Sequence, residues 1–385
     1  MTPAARAQAA IEILDQVIAA VREAGAAADT IVARYFKERR YAGSKDRRAV
    51  RDLVYAAIRR AGERPVSGRA ALLGLADDRP DLIALFDGAA HGPAAVVADE
   101  PRAAAGSAPA WLEGRLDGLG LQDRAPLDVR VNRLKARRAA IMIEGAVPTP
   151  HAPDGLRLPE GVQVEALPEW DEGLIEVQDE GSQLVALACG AEPGMTVIDL
   201  CAGAGGKTLA LAAAMADQGR ILACDTDRGR LQRLPPRAVR AGVTIAATRL
   251  LDGGRETAML ADLADAADLV VIDAPCSGTG TWRRNPEARW RLTADRLARV
   301  VTVQRQLLDV AATLVKPGGA IAYIVCSLLD EEGPANVSAF LAAHRGWSAE
   351  EIALPAGRRH GLGLRLTPAD DGTDGFFVAS LRRPC

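Results

Sequence analysis

The sequence predicts an α/β protein in which a doubly wound, mostly parallel sheet of Rossmann-like type follows a helical region and a small mixed segment. From Leu174 onward, short apolar runs alternate with helix-like stretches, which is typical of such a sheet. Near the N-terminus, apolar residues recur at helical spacing in two stretches that begin at Ile11 and Val50. Between these regions, "LDVRVNRL" alternates like a strand.

The composition indicates a globular protein with more than one domain. The chain has 385 residues, of which 49% are hydrophobic, and this length allows two or three separate cores. A net charge of −3 argues against nonspecific nucleic-acid binding by the whole chain, although a balanced total can conceal a local basic face. No apolar run approaches a membrane span, and the N-terminus does not resemble a signal peptide. We therefore expect a cytoplasmic protein without a membrane partner.

Two basic segments stand out against this balanced total. Residues 34–64 contain eleven Lys or Arg and four acids, and residues 282–300 contain six Arg and two acids. Such a run is either a solvated helix face or a surface that contacts phosphates. The six cysteines lack metal-ligand spacing, so we expect reduced thiols and no metal site.

The segment before the alternating region is short and mixed. After "LDVRVNRL", the stretch "RRAAIMIEG" has a helix-like pattern and "GVQVEAL" a strand-like one. These patterns predict a small α+β unit.

Acids and thiols recur where the predicted strands end. Ligands of an open α/β sheet bind beyond the carboxyl ends of its strands, so side chains at these ends should meet at one site. The residues at these positions are Asp199, Cys201, Asp225, Asp273, Cys276 and Cys326.

The stretch "VIDLCAGAGGKT" resembles a phosphate-binding loop. However, Cys201 stands where that loop needs its first glycine, which argues against an ATPase. Asp225, at the end of the next predicted strand, is placed to bind ribose hydroxyls. The glycines then allow a nucleoside-bearing cofactor to lie close to the backbone. Both a dinucleotide and S-adenosylmethionine are compatible with this interpretation.

The motif "DAPCSGTGTWRRNPE" favours methyl transfer over hydride transfer, because hydride transfer needs no thiol. Carbon 5 of cytosine becomes nucleophilic only when a thiolate adds to ring carbon 6. A protonated Asp273 could hydrogen-bond the ring N3 during that attack. A second thiol, Cys326 in "YIVCSLLDEE", suggests one nucleophile and one assistant. Chemistry alone leaves Cys276 and Cys326 as equal candidates for the attack.

These motifs resemble those of the RNA (cytosine-5) methyltransferases, and most of all the bacterial 16S ribosomal RNA enzymes with a NusB-like N-terminal domain. "SAPAWLEGRL", "VRVNRLKA" and "GTDGFFVASLRR" extend the likeness over nearly the whole chain. The resemblance implies a class I methyltransferase domain with a parallel-dominated, seven-stranded sheet. It also implies three parts, which are a helical RNA-binding domain and linker at 1–125, an α+β subdomain at 126–175 and the methyltransferase domain at 176–385.

The resemblance also implies the roles of the site residues. The nucleophile of the family lies in a Thr-Cys-Ser motif, here "VCS", so Cys326 takes that role and Cys276 in "PCS" assists release of the enzyme. S-adenosylmethionine is the implied cofactor. The family loop Cys-Ala-Ala-Pro-Gly-Gly-Lys is matched with departures at Gly203 and Ala204. The implied cofactor residues are Cys201, Ala202, Gly203, Ala204, Gly205, Gly206, Lys207, Asp225, Asp252 and Asp273.

The expected reaction is therefore methylation of carbon 5 of a cytosine in RNA, with 16S ribosomal RNA as the substrate. Transfer RNA is an alternative substrate, because the catalytic motifs are shared. A non-catalytic RNA-binding assembly factor is the alternative from another class, against which Asp273, Cys276 and Cys326 argue. We expect a monomer. The Asn that follows the acidic pair of the family is not evident in "EEGPANV".

Overall fold

The computed structural model describes residues 1–22 and 25–385. The chain forms two compact units, each with its own hydrophobic cores. The first unit comprises Met1–Arg124 and Thr281–Ala294, and the second comprises Ala125–Gly280 and Asp295–Cys385.

The first unit is helical. Its α-helices are α1 (Pro3–Arg22), α2 (Ala28–Glu38), α3 (Ser44–Arg60) and α4 (Gly68–Asp78). Short 3₁₀ helices form at Pro80–Leu85, Ala110–Leu112 and Pro286–Arg291. The two stretches with helical spacing lie in α1 and α3, and their apolar residues, such as Leu14 and Val54, are buried in the core.

Residues 281–294 pack with these helices, although the sequence division placed them in the methyltransferase domain. Trp290 lies in the helical core and its indole donates to the carbonyl of Ala61 at 2.9 Å. The carboxylate of Glu287 accepts the backbone N–H of Ala28 at 3.0 Å. The buried Trp290 and the hydrogen bond to Glu287 therefore attach this segment to the first unit. The basic composition of the segment does not predict this packing.

The two basic segments differ in the structure. Arg289 is fully buried, and its guanidinium donates to carbonyl groups at Pro286 and Ser107, both at 3.0 Å. Arg283 is also buried, so the expected basic surface over 282–300 is wrong at these two positions. Most of the basic side chains in 34–64 are exposed. The exposed ones are Arg34, Lys37, Arg40, Lys45, Arg47, Arg48, Arg51 and Arg64.

A small antiparallel sheet opens the second unit. Its strands are β1 (Leu127–Val131), β2 (Val147–Pro148), β3 (Gly155–Leu158) and β4 (Ile175–Val177), in the order β2-β3-β1-β4. A short helix, α5 (Pro168–Asp171), precedes β4. The predicted strand in "GVQVEAL" is wrong, because Val164–Ala166 forms a 3₁₀ turn that buries Val164 in this small core. In "RRAAIMIEG", only Arg138–Ala140 is helical, as a 3₁₀ turn.

The rest of the second unit is a sheet flanked by helices. The strands are β5 (Thr196–Asp199), β6 (Arg220–Asp225), β7 (Ala246–Leu250), β8 (Ala267–Asp273), β9 (Val315–Val325), β10 (Ser348–Glu350), β11 (Arg358–His360), β12 (Gly363–Leu366) and β13 (Phe376–Arg382). The helices are α6 (Glu180–Ala188), α7 (Gly206–Ala214), α8 (Arg228–Leu231), α9 (Leu234–Ala241), α10 (Glu256–Met259), α11 (Ala294–Leu314), α12 (Pro334–Ala343) and α13 (Pro368–Asp371). A further 3₁₀ turn lies at Ala261–Leu263 and another at Thr279–Thr281.

The strand order confirms the Rossmann-like fold. The order is β11-β12-β13-β9-β8-β5-β6-β7, with β10 paired to β13. The strands from β7 to β9 are parallel, and β10 to β13 pair antiparallel. The sheet has nine strands instead of the expected seven, because β10 and β11 are three-residue strands with polar, partly exposed side chains that show no apolar alternation.

The direction of strand addition reverses at β5, which has β6 on one side and β8 on the other. In a doubly wound sheet, the crevice at such a reversal is where ligands bind. The carboxyl ends of β5, β6, β8 and β9 therefore define the candidate site.

Candidate active site

The predicted site residues lie at this edge of the sheet. Asp199, Asp225 and Asp273 are the last residues of β5, β6 and β8, and Cys326 follows β9 directly. All belong to the second unit. The parallel strands thus bring acids and thiols together that are far apart in the sequence.

The glycine loop between β5 and α7 bends through left-handed backbone. Gly203 and Gly205 have φ of 55° and 87°, a region that side chains other than glycine rarely adopt. A Cβ on Gly205 would also lie 2.2 Å from Leu234. The loop is fixed from outside by Arg237, which donates to the carbonyl of Ala204 at 2.5 Å. Above Gly206, by contrast, a Cβ would meet nothing within 4 Å, which leaves the backbone open to a ligand.

Asp225 organises this loop. Its carboxylate accepts the backbone N–H groups of Gly203 and Asp227, each at 2.7 Å, and the residue is only 8% exposed. Each carboxylate oxygen can accept a second hydrogen bond, so capacity for ribose hydroxyls remains. Asp252 lies just beyond β7 and its side chain is 62% exposed, 3.8 Å from Arg255. The two acids therefore differ strongly in burial.

Lys207 and Asp273 form a buried ion pair. The ammonium of Lys207 donates to Asp273 Oδ2 at 2.6 Å, and Lys207 is 8% exposed. Burial opposes the charge of Lys207, but attraction and a hydrogen bond from Asp273 outweigh it and hold the lysine pKa above its ordinary value. Lys207, predicted as a cofactor residue, thus has its strongest contact with the predicted catalytic acid.

The thiols of Cys276 and Cys326 lie side by side. Their sulfur atoms are 3.2 Å apart, close enough for one thiol to donate a hydrogen bond to the other sulfur. The hydrogen bond to Cys326, together with burial, raises the pKa of Cys276 well above its usual range. Cys276 therefore holds its proton more tightly than a free thiol does. A negative charge on Cys326 would favour the ammonium form of Lys207, so the two groups would attract each other with Cys326 as a thiolate.

Three other thiols, on Cys189, Cys201 and Cys224, are held in buried surroundings. Burial raises the pKa of Cys189 and of Cys224 to about 12, which makes them inert packing residues. Burial also raises the pKa of Cys201 well above its usual range, so the structure supports a role for its backbone and not for its thiol.

Asp199 is a fully buried acid at the floor of the site. Burial raises its pKa to about 7, although the hydroxyl of Thr208 donates to Oδ2 at 2.7 Å. Oδ1 has no hydrogen-bond partner among the described residues. Because Asp199 is fully buried, it supports the site from below and does not contact a ligand directly.

A buried polar network behind the thiols was not anticipated from the sequence. It centres on Glu332, which is fully buried and accepts hydrogen bonds from Ser277, Ser327 and Gln304. The sequence feature that could have indicated this network is that a serine follows each of the two cysteines and that an acid comes shortly after the second serine. Asn336 also belongs to this network, and its amide donates to Gln304 Oε1 at 2.8 Å.

The open backbone at Gly206 and the carboxylates of Asp225 and Asp252 fit S-adenosylmethionine, whose ribose and amino acid groups need such partners. Within residues 1–22 and 25–385, no group of three or more His, Cys, Asp or Glu side chains could hold a metal ion. Over the same residues, no helix is long and apolar enough to cross a membrane.

Comparison with known proteins assigns the family. A family model described as "16S rRNA methyltransferase RsmB/F" matches residues 186–382, which is half of the chain. The chain belongs to the RsmB/F family. This membership and the fold confirm S-adenosylmethionine as the cofactor, and they confirm the resemblance found in the motifs.

Relatives in the RsmB/F family support this assignment. The chain is 34% identical over 269 residues to "Probable ribosomal RNA small subunit methyltransferase B" of Synechocystis sp., a match that covers 67% of this chain and 60% of the relative. It is 32% identical over 293 residues to "Ribosomal RNA small subunit methyltransferase B" of Sodalis glossinidius, covering 71% and 65%. The chain thus spans less than two thirds of the length of these relatives.

Solved structures agree with the fold. The structure described as "Crystal Structure of PH0851" has a TM-score of 0.79 and 25% identity, and it covers 100% of this chain and 99% of its own. NSun6 from Pyrococcus horikoshii with SFG has a TM-score of 0.63 at 20% identity, covering 70% and 94%. The second likeness shows the fold alone.

Proposed function

We propose that this chain transfers a methyl group from S-adenosylmethionine to carbon 5 of a cytosine in 16S ribosomal RNA. The observation that carries the proposal is the pair of thiols on Cys276 and Cys326, 3.2 Å apart, in a domain of the RsmB/F family. An acid at the neighbouring strand end, Asp273, completes the set that attack on a cytosine ring requires. Neither hydride transfer nor phosphate hydrolysis needs two adjacent thiols.

The cofactor would be held along the carboxyl ends of β5 to β8. The cofactor would lie directly against the backbone of Cys201–Lys207. Asp225 and Asp252 would accept hydrogen bonds from its hydroxyl groups, and Asp273 would lie next to its methyl-bearing end. When bound, S-adenosylmethionine supplies an electrophilic methyl group.

Cys326 is the proposed nucleophile. Its thiolate adds to ring carbon 6 and forms a carbon–sulfur bond, while the electron pair of the ring double bond moves toward N3. N3 becomes strongly basic as the electron pair arrives, and it takes a proton from the Lys207 ammonium through Asp273, which that ammonium contacts at 2.6 Å. The ammonium of Lys207 also stabilises the thiolate before the attack.

Cys276 acts when the adduct breaks. After methyl transfer, the carbon 5 proton leaves to water, the electron pair re-forms the ring double bond and the carbon–sulfur bond to Cys326 opens. Cys276, which holds its proton tightly, donates a hydrogen bond to the departing sulfur. The N3 proton returns to the Lys207–Asp273 pair, so one proton is released overall.

The helical unit is proposed to bind the RNA. Its exposed basic side chains on α2 and α3 can contact phosphates, and the family resemblance suggests a NusB-like module. In this proposal, residues 1–125 form that module, residues 126–175 the small subdomain and residues 176–385 the catalytic domain, with residues 281–294 contributed back to the helical unit.

The proposal is tested by methylating unmodified 16S ribosomal RNA with the purified chain, followed by bisulfite sequencing. We expect one or a few protected cytosines that are absent with Cys326→Ala. Protection of transfer RNA but not of 16S RNA would replace the substrate. If no cytosine in either RNA is protected, although S-adenosylmethionine binds, the proposed reaction is wrong.

A further inference from the structure

A single carboxylate holds both cysteine segments. Glu332 lies after β9 in the loop that leads to α12, and its side chain is completely buried. Oε1 accepts the backbone N–H of Ser277 at 2.7 Å. Oε2 accepts hydrogen bonds from the hydroxyl groups of Ser277 and Ser327.

These serines are the residues that follow the two thiols. Ser277 comes directly after Cys276, and Ser327 directly after Cys326. Their hydroxyl oxygens are 3.0 Å apart, and the neighbouring sulfur atoms are 3.2 Å apart. The distance between the two sulfur atoms is thus close to the distance between the two serine hydroxyl oxygens, and both hydroxyls bind the same carboxylate.

Further contacts fix the carboxylate itself. Gln304 on α11 donates from Nε2 both to Glu332 Oε1 and to the carbonyl of Pro275, each at 2.9 Å. The hydroxyl of Tyr323 donates to the carbonyl of Glu332 at 2.6 Å. Asn336 donates to Gln304 Oε1 at 2.8 Å and to the Tyr323 hydroxyl at 3.2 Å. Each polar group of this network has a partner, so the arrangement is rigid.

Further bonds beyond the thiols also join the same segments without Glu332. Thr279 accepts the backbone N–H of Leu328 at 2.9 Å, and Gly280 donates to the carbonyl of Cys326 at 3.1 Å. These bonds lie on the far side of each thiol from Pro275. They keep the segments close beyond the thiols, whereas the residue directly after Cys276 is held by its two contacts with Glu332.

We infer that Glu332 is a positioning residue that sets the distance between the Cys276 and Cys326 thiols. The carboxylate touches neither sulfur, and it acts through the serine next to each one. The inference deepens the proposed function, on which it rests for its consequence in catalysis, but the spacing of the thiols can be measured without any RNA.

The consequence is specific. In Glu332→Gln, the negative charge and one acceptor oxygen are lost, so the hydroxyl groups of Ser277 and Ser327 can no longer donate to a carboxylate. With these charge-assisted bonds removed, Ser277 is held less tightly and Cys276 moves away from Cys326. Cys326 keeps its place through Gly280 and can still attack. The variant should therefore resemble Cys276→Ala and accumulate a covalent protein–RNA adduct, whereas a purely structural loss would reduce adduct and turnover together.

The first test measures thiol proximity with phenylarsine oxide. Its arsenic forms bonds to two adjacent thiols and releases one water molecule, so tight binding reports a closely spaced pair. We expect wild type to bind one equivalent that Cys326→Ala loses, and Glu332→Gln to bind at least about tenfold more weakly, because chelation depends on effective concentration. Asp330→Asn is the matched control, since this exposed carboxylate contacts His360 at 2.7 Å and should change nothing.

The second test compares the amount of covalent protein–RNA adduct formed by single and double variants, measured on a denaturing gel. Adding Glu332→Gln to Cys276→Ala should leave the amount of adduct unchanged, because the release function is already lost. If Glu332→Gln does not fold, as judged by its melting curve, Ser277→Ala removes one contact of the same carboxylate and should weaken arsenical binding in the same direction.

Unchanged arsenical binding in folded Glu332→Gln would overturn the positioning role while leaving the methyltransferase proposal intact. Conversely, weakened arsenical binding in a protein that methylates no cytosine would support the positioning role and refute the proposed reaction. Two proposals that share a site are thereby tested separately.

Discussion

The two halves of the site are built in different ways. On the cofactor side, at β5 and β6, the structure presents backbone: a loop with left-handed glycines whose shape is held by Asp225. On the thiol side, at β8 and β9, it presents side chains: two cysteines backed by a buried network around Glu332. In the proposed function, cofactor binding would therefore depend on the backbone path of the loop, and the reaction would depend on a few side-chain atoms.

This difference predicts different responses to substitution. A backbone site spreads its hydrogen bonds over many groups, so the loss of one side chain should weaken binding by a limited factor. A thiol cannot be replaced by its neighbours, so its loss should abolish one chemical step. Substitutions on the thiol side should thus give qualitative changes, and those on the cofactor side graded ones.

The largest effect is expected for Cys326→Ala. Without this thiolate, carbon 5 is not activated, and methyl transfer should fall to background while cofactor and RNA still bind. Filter binding of tritiated methyl groups to RNA and calorimetry with S-adenosylmethionine measure the two quantities. Normal turnover by the folded variant would remove Cys326 from the reaction.

Cys276→Ala should change the reaction in another way. Attack and methyl transfer proceed, but the departing sulfur of Cys326 lacks its hydrogen-bond donor, so a covalent complex with RNA accumulates. A retarded band on a denaturing gel, sensitive to nuclease, reports it. If this variant forms no adduct and Cys326→Ala does, the two roles are exchanged and attack runs through the Pro-Cys motif.

Asp225→Ala should give a graded loss on the cofactor side. Its removal frees the N–H of Gly203 and leaves ribose hydroxyls unpaired in a partly buried site, which costs about 1–3 kcal/mol. Titration with S-adenosylmethionine measures the loss. Asp252→Ala is the internal comparison, since a side chain that is 62% exposed should contribute less. Equal losses for both would show that burial does not set the strength of these contacts.

The smallest effect per residue is expected on the helical unit. Replacing the exposed Arg47, Arg48 and Arg51 by glutamine should lower RNA affinity and reduce the slope of affinity against salt by up to about 2–3, because fewer counterions are released. Fluorescence anisotropy over a salt series measures both.

A control triple variant at Arg345, Arg358 and Arg359 changes the charge equally on exposed residues of the second unit. Its salt slope should stay close to that of wild type. If both triple variants reduce the slope by the same amount, the effect reflects net charge and not a binding surface on α3.

The grouping of these side chains could be predicted because they lie at or just after strand ends, although their roles remain predictions. Asp225 and Asp273 end strands, Cys326 follows one directly and Cys276 lies three residues beyond another, and parallel topology places such ends together. The partner of Lys207 could not be predicted in this way. Its position in the glycine loop suggested the cofactor, whereas the direction of its side chain toward Asp273 depends on the packing of α7 against the sheet.

The burial of several charged side chains could not be predicted either, because it also depends on packing against residues distant in sequence. The arginines at 283 and 289 look like surface charge in a basic run, but Trp282 and Trp290 beside them are buried and draw the segment into a core. In the sequence, Glu332 is one of several neighbouring acids, but in the structure its carboxylate is buried and accepts hydrogen bonds from Ser277 and Ser327. Local pattern gives elements and strand ends, while the burial of a charged group is decided by partners distant in sequence.

The most direct test of the account identifies the cysteine that carries the RNA. An RNA substrate containing 5-azacytidine keeps the adduct intact, because nitrogen at position 5 has no proton to lose. After digestion with nuclease and trypsin, mass spectrometry should find the modified nucleotide on the peptide that contains Cys326. A nucleotide on Cys276, or no nucleotide on either cysteine in a protein that methylates cytosine, would contradict the account.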